Sequence, residues 1–149
     1  MSSPSSSQFL FWVKYLKAVS IFFALMGVMW AVLGSFDPFG WYDTAFARSF
    51  WNSDQLPADA KKATQFILGP FGATSAGYFI LQYFIAANAY AKKELWGFYA
   101  IICAFLFWLF LDTTMSIYHR AYFNIYFANI PSLIAMTPIF LTRKYFSRN

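Results

Sequence analysis

Polar side chains of three different chemistries follow directly on the most apolar run of the chain. Residues 95–111 (LWGFYAIICAFLFWLFL) contain no charge and no amide, and Asp112 comes next. Asp112, Ser116 and His119 recur at i, i+4 and i+7, a spacing that places them within about 60° on one helical face. A carboxylate beside an imidazole is suited to hold an ordered anion, a lipid headgroup or a proton in transit.

Two more residues extend this candidate site across the next turn of the chain. Arg120 lies slightly round the same helical face, and Asn124 follows it. The candidate ligand-binding residues are therefore Asp112, Ser116, His119, Arg120 and Asn124. The amide of Gln82, within another apolar run, is a further candidate, although such amides more often bond neighbouring helices to one another.

A simpler interpretation of Asp112 requires no ligand. At 1.5 Å per residue, Asp112 lies about 25 Å along its helix from Leu95, which brings it close to the headgroup region. There it would pair with Arg120 or with another base of the outer loops. Both interpretations remain open at the level of sequence.

The elements that must position these residues are membrane-spanning helices. The chain has 149 residues, of which 60% are hydrophobic and 11% charged, whereas soluble domains carry about 25% charged residues. Its charge-free runs predict four spans at about 10–34, 66–91, 95–117 and 122–143, each long enough to cross a ~30 Å hydrocarbon core. We predict one all-α integral membrane domain over residues 1–149, a four-transmembrane-helix bundle.

The longest connection, residues 35–62, predicts a short interfacial amphipathic helix in the first extracytoplasmic loop. Asp37 and Pro38 provide an N-cap followed by proline at the first helical position. Aromatic residues then recur at helical spacing: Phe39, Tyr42, Phe46 and Phe50.

Small residues predict close packing of the second span. Gly72 and Ala76, and likewise Ala73 and Gly77, stand four residues apart, the spacing that lets helix backbones approach in a membrane. The preceding Pro70 predicts a kink.

Basic residues predict the orientation. Seven would share one side of the membrane and four the other, which favours cytoplasmic N- and C-termini in the cell (inner or plasma) membrane. The first span lacks the charged segment and cleavage site of a signal peptide, so we expect it to be retained. The two sets are Lys14, Lys17, Lys92, Lys93, Arg143, Lys144 and Arg148, and Arg48, Lys61, Lys62 and Arg120.

Composition argues against several functions. The net charge of +5 reflects this topology and does not indicate a nucleic-acid partner. One cysteine and one histidine cannot supply a disulfide, a tetrahedral metal site or a bis-histidine haem, so no cofactor and no metal site is expected. No phosphate-cradling glycine loop is present either.

The four-helix plan, with both termini on one side and an acid near one face, resembles DoxX-type and EXPERA-type small membrane proteins. The resemblance is one of architecture, and no catalytic residue is carried over from it.

Three functions are consistent with the pattern. The leading hypothesis is a non-enzymatic protein that binds a lipid or lipophilic small molecule between its helices. The polar mouth of this site, at the outer face, would consist of Asp112, Ser116, His119, Arg120 and Asn124. The alternative is an accessory subunit of a larger membrane complex, or a homo-oligomer. A weaker alternative is a lipid isomerase or transferase that uses Asp112 and His119 as acid and base.

Overall fold

The computed structural model describes residues 6–34, 37 and 39–146 of the chain. These residues form helices joined by short turns, and no strand occurs among them, which confirms the all-α prediction. The five helical segments are α1 (Ser6–Leu33), α2 (Trp41–Trp51), α3 (Ala58–Ile85), α4 (Leu95–Tyr118) and α5 (Tyr122–Tyr145).

Two of these segments depart from regular α-helix. A π-helical turn, Ala86–Tyr90, continues α3 to the tight turn before α4. Within α5, α-helix over Tyr122–Asn124 and Ile130–Phe140 is interrupted by a π-helical turn, Ile125–Asn129, and ends in a 3₁₀ turn, Leu141–Tyr145. Each π turn admits an extra residue and so rotates the side chains that follow it.

Three helices in the described part of the chain are long and apolar enough to cross a membrane, as is typical of an integral membrane protein. They are Ser7–Leu33, Leu95–Tyr118 and Tyr122–Tyr145. The predicted span at 66–91 falls in α3, which has sufficient length but not the same apolarity. Glycine, proline and hydroxyl-bearing residues in the middle of α3 lower its mean hydropathy.

The closest helix pairing joins α1 to α3, which run antiparallel. Neither helix has room for a side chain at the crossing: a Cβ on Gly72 would lie 2.5 Å from the Gly27 carbonyl oxygen and 2.6 Å from the Ala31 amide nitrogen. The predicted contact through Gly72 and Ala76 is therefore confirmed, with Gly27 as its partner. Other pairs, in order along the helices, are Lys17 with Tyr83, Ser20 with Gln82, Phe23 with Phe79, Trp30 with Phe71, and Gly34 with Gln65.

The second small-residue pair of α3 does not take part in the contact with α1. Ala73 and Gly77 are exposed, and a Cβ built on Gly77 meets nothing within 4 Å. The spacing was the same for both pairs, but only one of them faces α1. Helix α3 continues without interruption through Pro70.

The core lies at the end of the bundle where the first and last described residues meet. Leu16, Tyr90, Ile101, Ile139 and Phe146 are almost completely buried there. The Tyr90 hydroxyl donates to Thr142 Oγ1 at 2.8 Å. The rings of Phe9, Tyr90, Phe98 and Phe146 pack together around these groups.

Helix α2 starts later than the sequence indicated. Its first residue is Trp41, preceded by Gly40 with φ of 68°, a conformation outside the helix. Asp37 Oδ2 accepts a hydrogen bond from the Asp43 amide at 2.9 Å. The N-cap residue is Gly40, so the prediction of an N-cap at Asp37 followed by a helix start at position 38 was wrong, although the Asp37 carboxylate bonds the first turn of α2. Pro38 itself lies outside the described residues.

The glycine contact leads to a matched pair of variants. Gly72→Ala should lower the free energy of unfolding by about 1–3 kcal/mol, because the new methyl group collides with the α1 backbone. Gly77→Ala should leave it unchanged or raise it slightly, because alanine is the better helix former and meets open space. Thermal unfolding in detergent measures both; equal shifts would contradict the packing.

Candidate functional site

A network of hydrogen bonds joins three of the predicted site residues at the C-terminal end of α4. Asn124 Nδ2 donates to Asp112 Oδ2 at 2.7 Å and lies 2.9 Å from Ser116 Oγ. Ser116 Oγ in turn donates to the main-chain oxygen of Asp112 at 2.8 Å. We call this group, together with Thr113 and Asn129, the outer cluster, because it lies at the end of the bundle away from the buried core.

The end of α4 explains how Asn124 reaches back to Asp112. The helix stops at Tyr118, and Arg120 takes a left-handed conformation with φ of 57° that reverses the chain. The Ala121 amide then bonds the Ser116 carbonyl at 2.8 Å and closes the turn. Asn124, in the first turn of α5, therefore lies beside the last turns of α4.

Thr113 and Asn129 extend the cluster towards the interior. Asn129 Nδ2 donates to Thr113 Oγ1 at 2.7 Å, and the Asn129 side chain lies close to the Asp112 carboxylate. Asn129 is 3% exposed, and its Oδ1 has no hydrogen-bond partner among the described residues. The π-helical turn that ends at Asn129 gives this side chain its direction, and the sequence contains no simple signal for such a turn.

His119 and Arg120 do not join the cluster. Both are exposed; the His119 ring packs edge-on against Tyr118, with centroids 4.9 Å apart. The spacing argument treated both residues as part of α4, but they lie beyond its end, where the helical direction no longer holds. In this conformation the described residues contain no ion pair or hydrogen bond between either side chain and Asp112. The acid–base pair of the isomerase hypothesis is therefore not assembled.

Tyr42 of α2 lies near Asp112, a proximity that the sequence did not reveal. Its ring packs edge-on against Phe123 of α5, with centroids 5.1 Å apart. Burial raises the pKa of Tyr42 to about 12, and the negative charges of Asp112 and Asp43 contribute to the rise. The aromatic stripe of α2 was visible in the sequence, but its partner on α5 was not.

Gln82 belongs to a different place, an apolar cleft between α3 and α4. It is 3% exposed and donates to Ser20 Oγ of α1 at 3.0 Å, the bonding expected of an amide that joins two helices. The cleft has a volume of about 200 Å³ and is lined by Tyr78, Leu81, Gln82, Ile85, Ala100, Ile101 and Ala104.

The two places have complementary chemistry. The outer cluster offers a carboxylate, amides and hydroxyls to a polar group, and the cleft offers aliphatic and aromatic surface to an apolar one. No protein-family model, no curated protein and no solved structure matches the chain.

The proximity of Tyr42 to Asp112 can be measured through the titration of Tyr42. Asp112→Asn removes a negative charge that disfavours the phenolate, so the pKa of Tyr42 should fall below about 12 while burial keeps it above its ordinary value of 10.0. Tyrosine Cζ chemical shifts in detergent micelles, assigned with Tyr42→Phe, report this titration. Asp54→Asn is the control, because Asp54 is exposed and pairs with Arg48. An unchanged Tyr42 titration in Asp112→Asn would contradict the arrangement.

Proposed function

We propose that this chain is a four-span protein of the cell membrane that binds a lipid or similar lipophilic molecule between α3 and α4. The observation that carries the proposal is the cleft of about 200 Å³ between these helices, with its almost wholly apolar lining. An apolar groove of this kind with few polar groups is the usual form of a small-molecule site. The outer cluster would serve as its polar mouth.

The pairing of α1 with α3 supports four crossings. The two helices contact one another from Lys17 and Tyr83 at one end to Gly34 and Gln65 at the other. A helix packed along the whole of a crossing helix passes through the same depth of the bilayer. Helices α1, α3, α4 and α5 would then cross, and α2, whose aromatic side chains reach α5, would lie in the outer interface.

The distribution of charge supports cytoplasmic termini. Lys14, Lys17, Lys92, Lys93, Arg143 and Lys144 belong to the helix ends and the turn on the side of the buried core. Arg48, Lys61, Lys62 and Arg120 belong to the opposite side, which makes the core side the more basic one.

Cysteine labelling tests the four crossings. In a Cys103→Ser background, Ser53→Cys, in the α2–α3 connection, should react with an impermeant maleimide added to intact cells. Lys92→Cys, in the α3–α4 turn, should react only after the membrane is opened. If both react equally in intact cells, α3 does not cross and the proposed topology is wrong.

The cleft and the outer cluster are spaced to suit one amphiphilic molecule. Asp112 lies about 12 Å beyond Ala104 along α4 at 1.5 Å per residue. A lipid with an acyl chain at Ala104 therefore has its glycerol and headgroup near Asp112.

Filling the cleft should expel its occupant. Ala104→Trp places an indole where the apolar chain would lie, so purified protein should retain severalfold less lipid by mass spectrometry, with its unfolding temperature little changed. Cys103→Trp is the matched control, since Cys103 is exposed on the same turn of α4 and does not line the cleft. Equal lipid retention in both variants would contradict the proposal.

The same purification distinguishes lipid binding from the accessory-subunit alternative. Large apolar side chains face outwards on α4, with Phe107 and Phe110 each 67% exposed. Lipid tails or the helices of a partner would both cover such a face. A second polypeptide that copurifies in mild detergent at constant stoichiometry, with no retained lipid, would favour the accessory subunit.

A further inference from the structure

The carboxylate of Asp112 has no cationic partner within the described residues. Its bonding partner is the neutral amide of Asn124, and its other neighbours are the amide of Asn129 and the phenol of Tyr42. Arg120, the cationic side chain nearest to Asp112 in the sequence, is exposed, and neither it nor His119 forms an ion pair or hydrogen bond with Asp112 in the described part of the chain. The outer cluster is therefore electronegative, which disfavours an anion and favours a cation.

A second acceptor of the outer cluster also lacks a donor. Asn129 Oδ1 is completely buried without a hydrogen-bond partner among the described residues, whereas the Nδ2 of the same amide donates to Thr113. A buried carbonyl without a donor costs free energy unless a bound group supplies an N–H or O–H. Because this amide lies beside Asp112, one ligand that carries both charge and donors would satisfy both residues.

We propose that the outer cluster binds the primary ammonium group of a lipid headgroup, held by Asp112, Asn129 and Tyr42. This inference rests on the proposed lipid binding and names the class of lipid. A primary ammonium has a positive charge, three donors and no acceptor. The carboxylate and the amide oxygen accept two of these hydrogen bonds, and the phenol oxygen of Tyr42 accepts the third.

The position of Tyr42 defines how the ammonium enters. Tyr42 lies near Asp112 and packs against Phe123, and Asn129 Oδ1 has no contact with solvent. The headgroup therefore reaches the amide when the Tyr42 side chain swings away from Phe123. A quaternary ammonium, which has no N–H and a larger radius, would fit the charge but not the donor requirement.

Lipids that differ only in headgroup test this proposal. Delipidated full-length protein in detergent is mixed with phosphatidylethanolamine, phosphatidylcholine or phosphatidylglycerol of identical acyl chains, and bound lipid is counted by native mass spectrometry. Wild-type protein should prefer phosphatidylethanolamine by about tenfold, and Asp112→Asn should bring it to the level of phosphatidylcholine. Asp112→Glu, which keeps the charge, should restore part of the preference, and His119→Ala should keep all of it.

The wild-type comparison needs no variant, so it remains decisive even if Asp112→Asn does not fold. Equal binding of all three lipids, or preference for phosphatidylglycerol, would overturn the ammonium site and leave the proposed lipid binding intact. Absence of any bound lipid would overturn both. Free ethanolamine distinguishes the source of the ammonium: competition at millimolar concentration shows that the headgroup suffices, and its failure beside retained phosphatidylethanolamine shows that the acyl chains are also required.

Discussion

The contact between α1 and α3 at Gly27 and Gly72 determines the arrangement of the other helices. Because neither residue has a side chain, the two backbones touch, and α3 packs against α1 over most of its length. Helix α4 then packs on the α3 end and on α5 around Tyr90 and Phe146, and meets the rest of α3 only loosely. The cleft between α3 and α4 is a consequence of this unequal packing.

The outer cluster depends on a different constraint, the point at which α4 ends. The left-handed turn at Arg120 sends the chain back, so that Asn124 of α5 bonds Asp112 and Ser116 of α4. Had α4 continued for one more turn, His119 would have lain on the same helical face as Asp112, as the spacing predicted. The position of this helix end thus leaves the Asn124 amide, and not the His119 imidazole, beside Asp112.

Helix α2 links α1 to α5 at the end of the bundle opposite the buried core. It follows α1 in the chain, yet Tyr42 and Phe46 pack against Phe123 of α5. At the end with the buried core, aromatic side chains of α1, α4 and α5 pack together. At the opposite end, this one short helix provides the aromatic contact with α5. Few packing contacts therefore hold α2, the segment that carries Tyr42, to the rest of the molecule, and such segments open more readily than a buried core.

Sequence alone determined the helical class, the short turns and three of the apolar spans, because length and hydropathy are properties of the local chain. It also placed Asp112, Ser116 and Asn124 in one candidate site, since helical spacing and a tight turn are local too. Tertiary structure alone decided that His119 and Arg120 turn away, that Gln82 bonds Ser20, and that Tyr42 and Asn129 approach Asp112. These relations depend on helix ends, π turns and contacts between distant segments, and no local pattern encodes them.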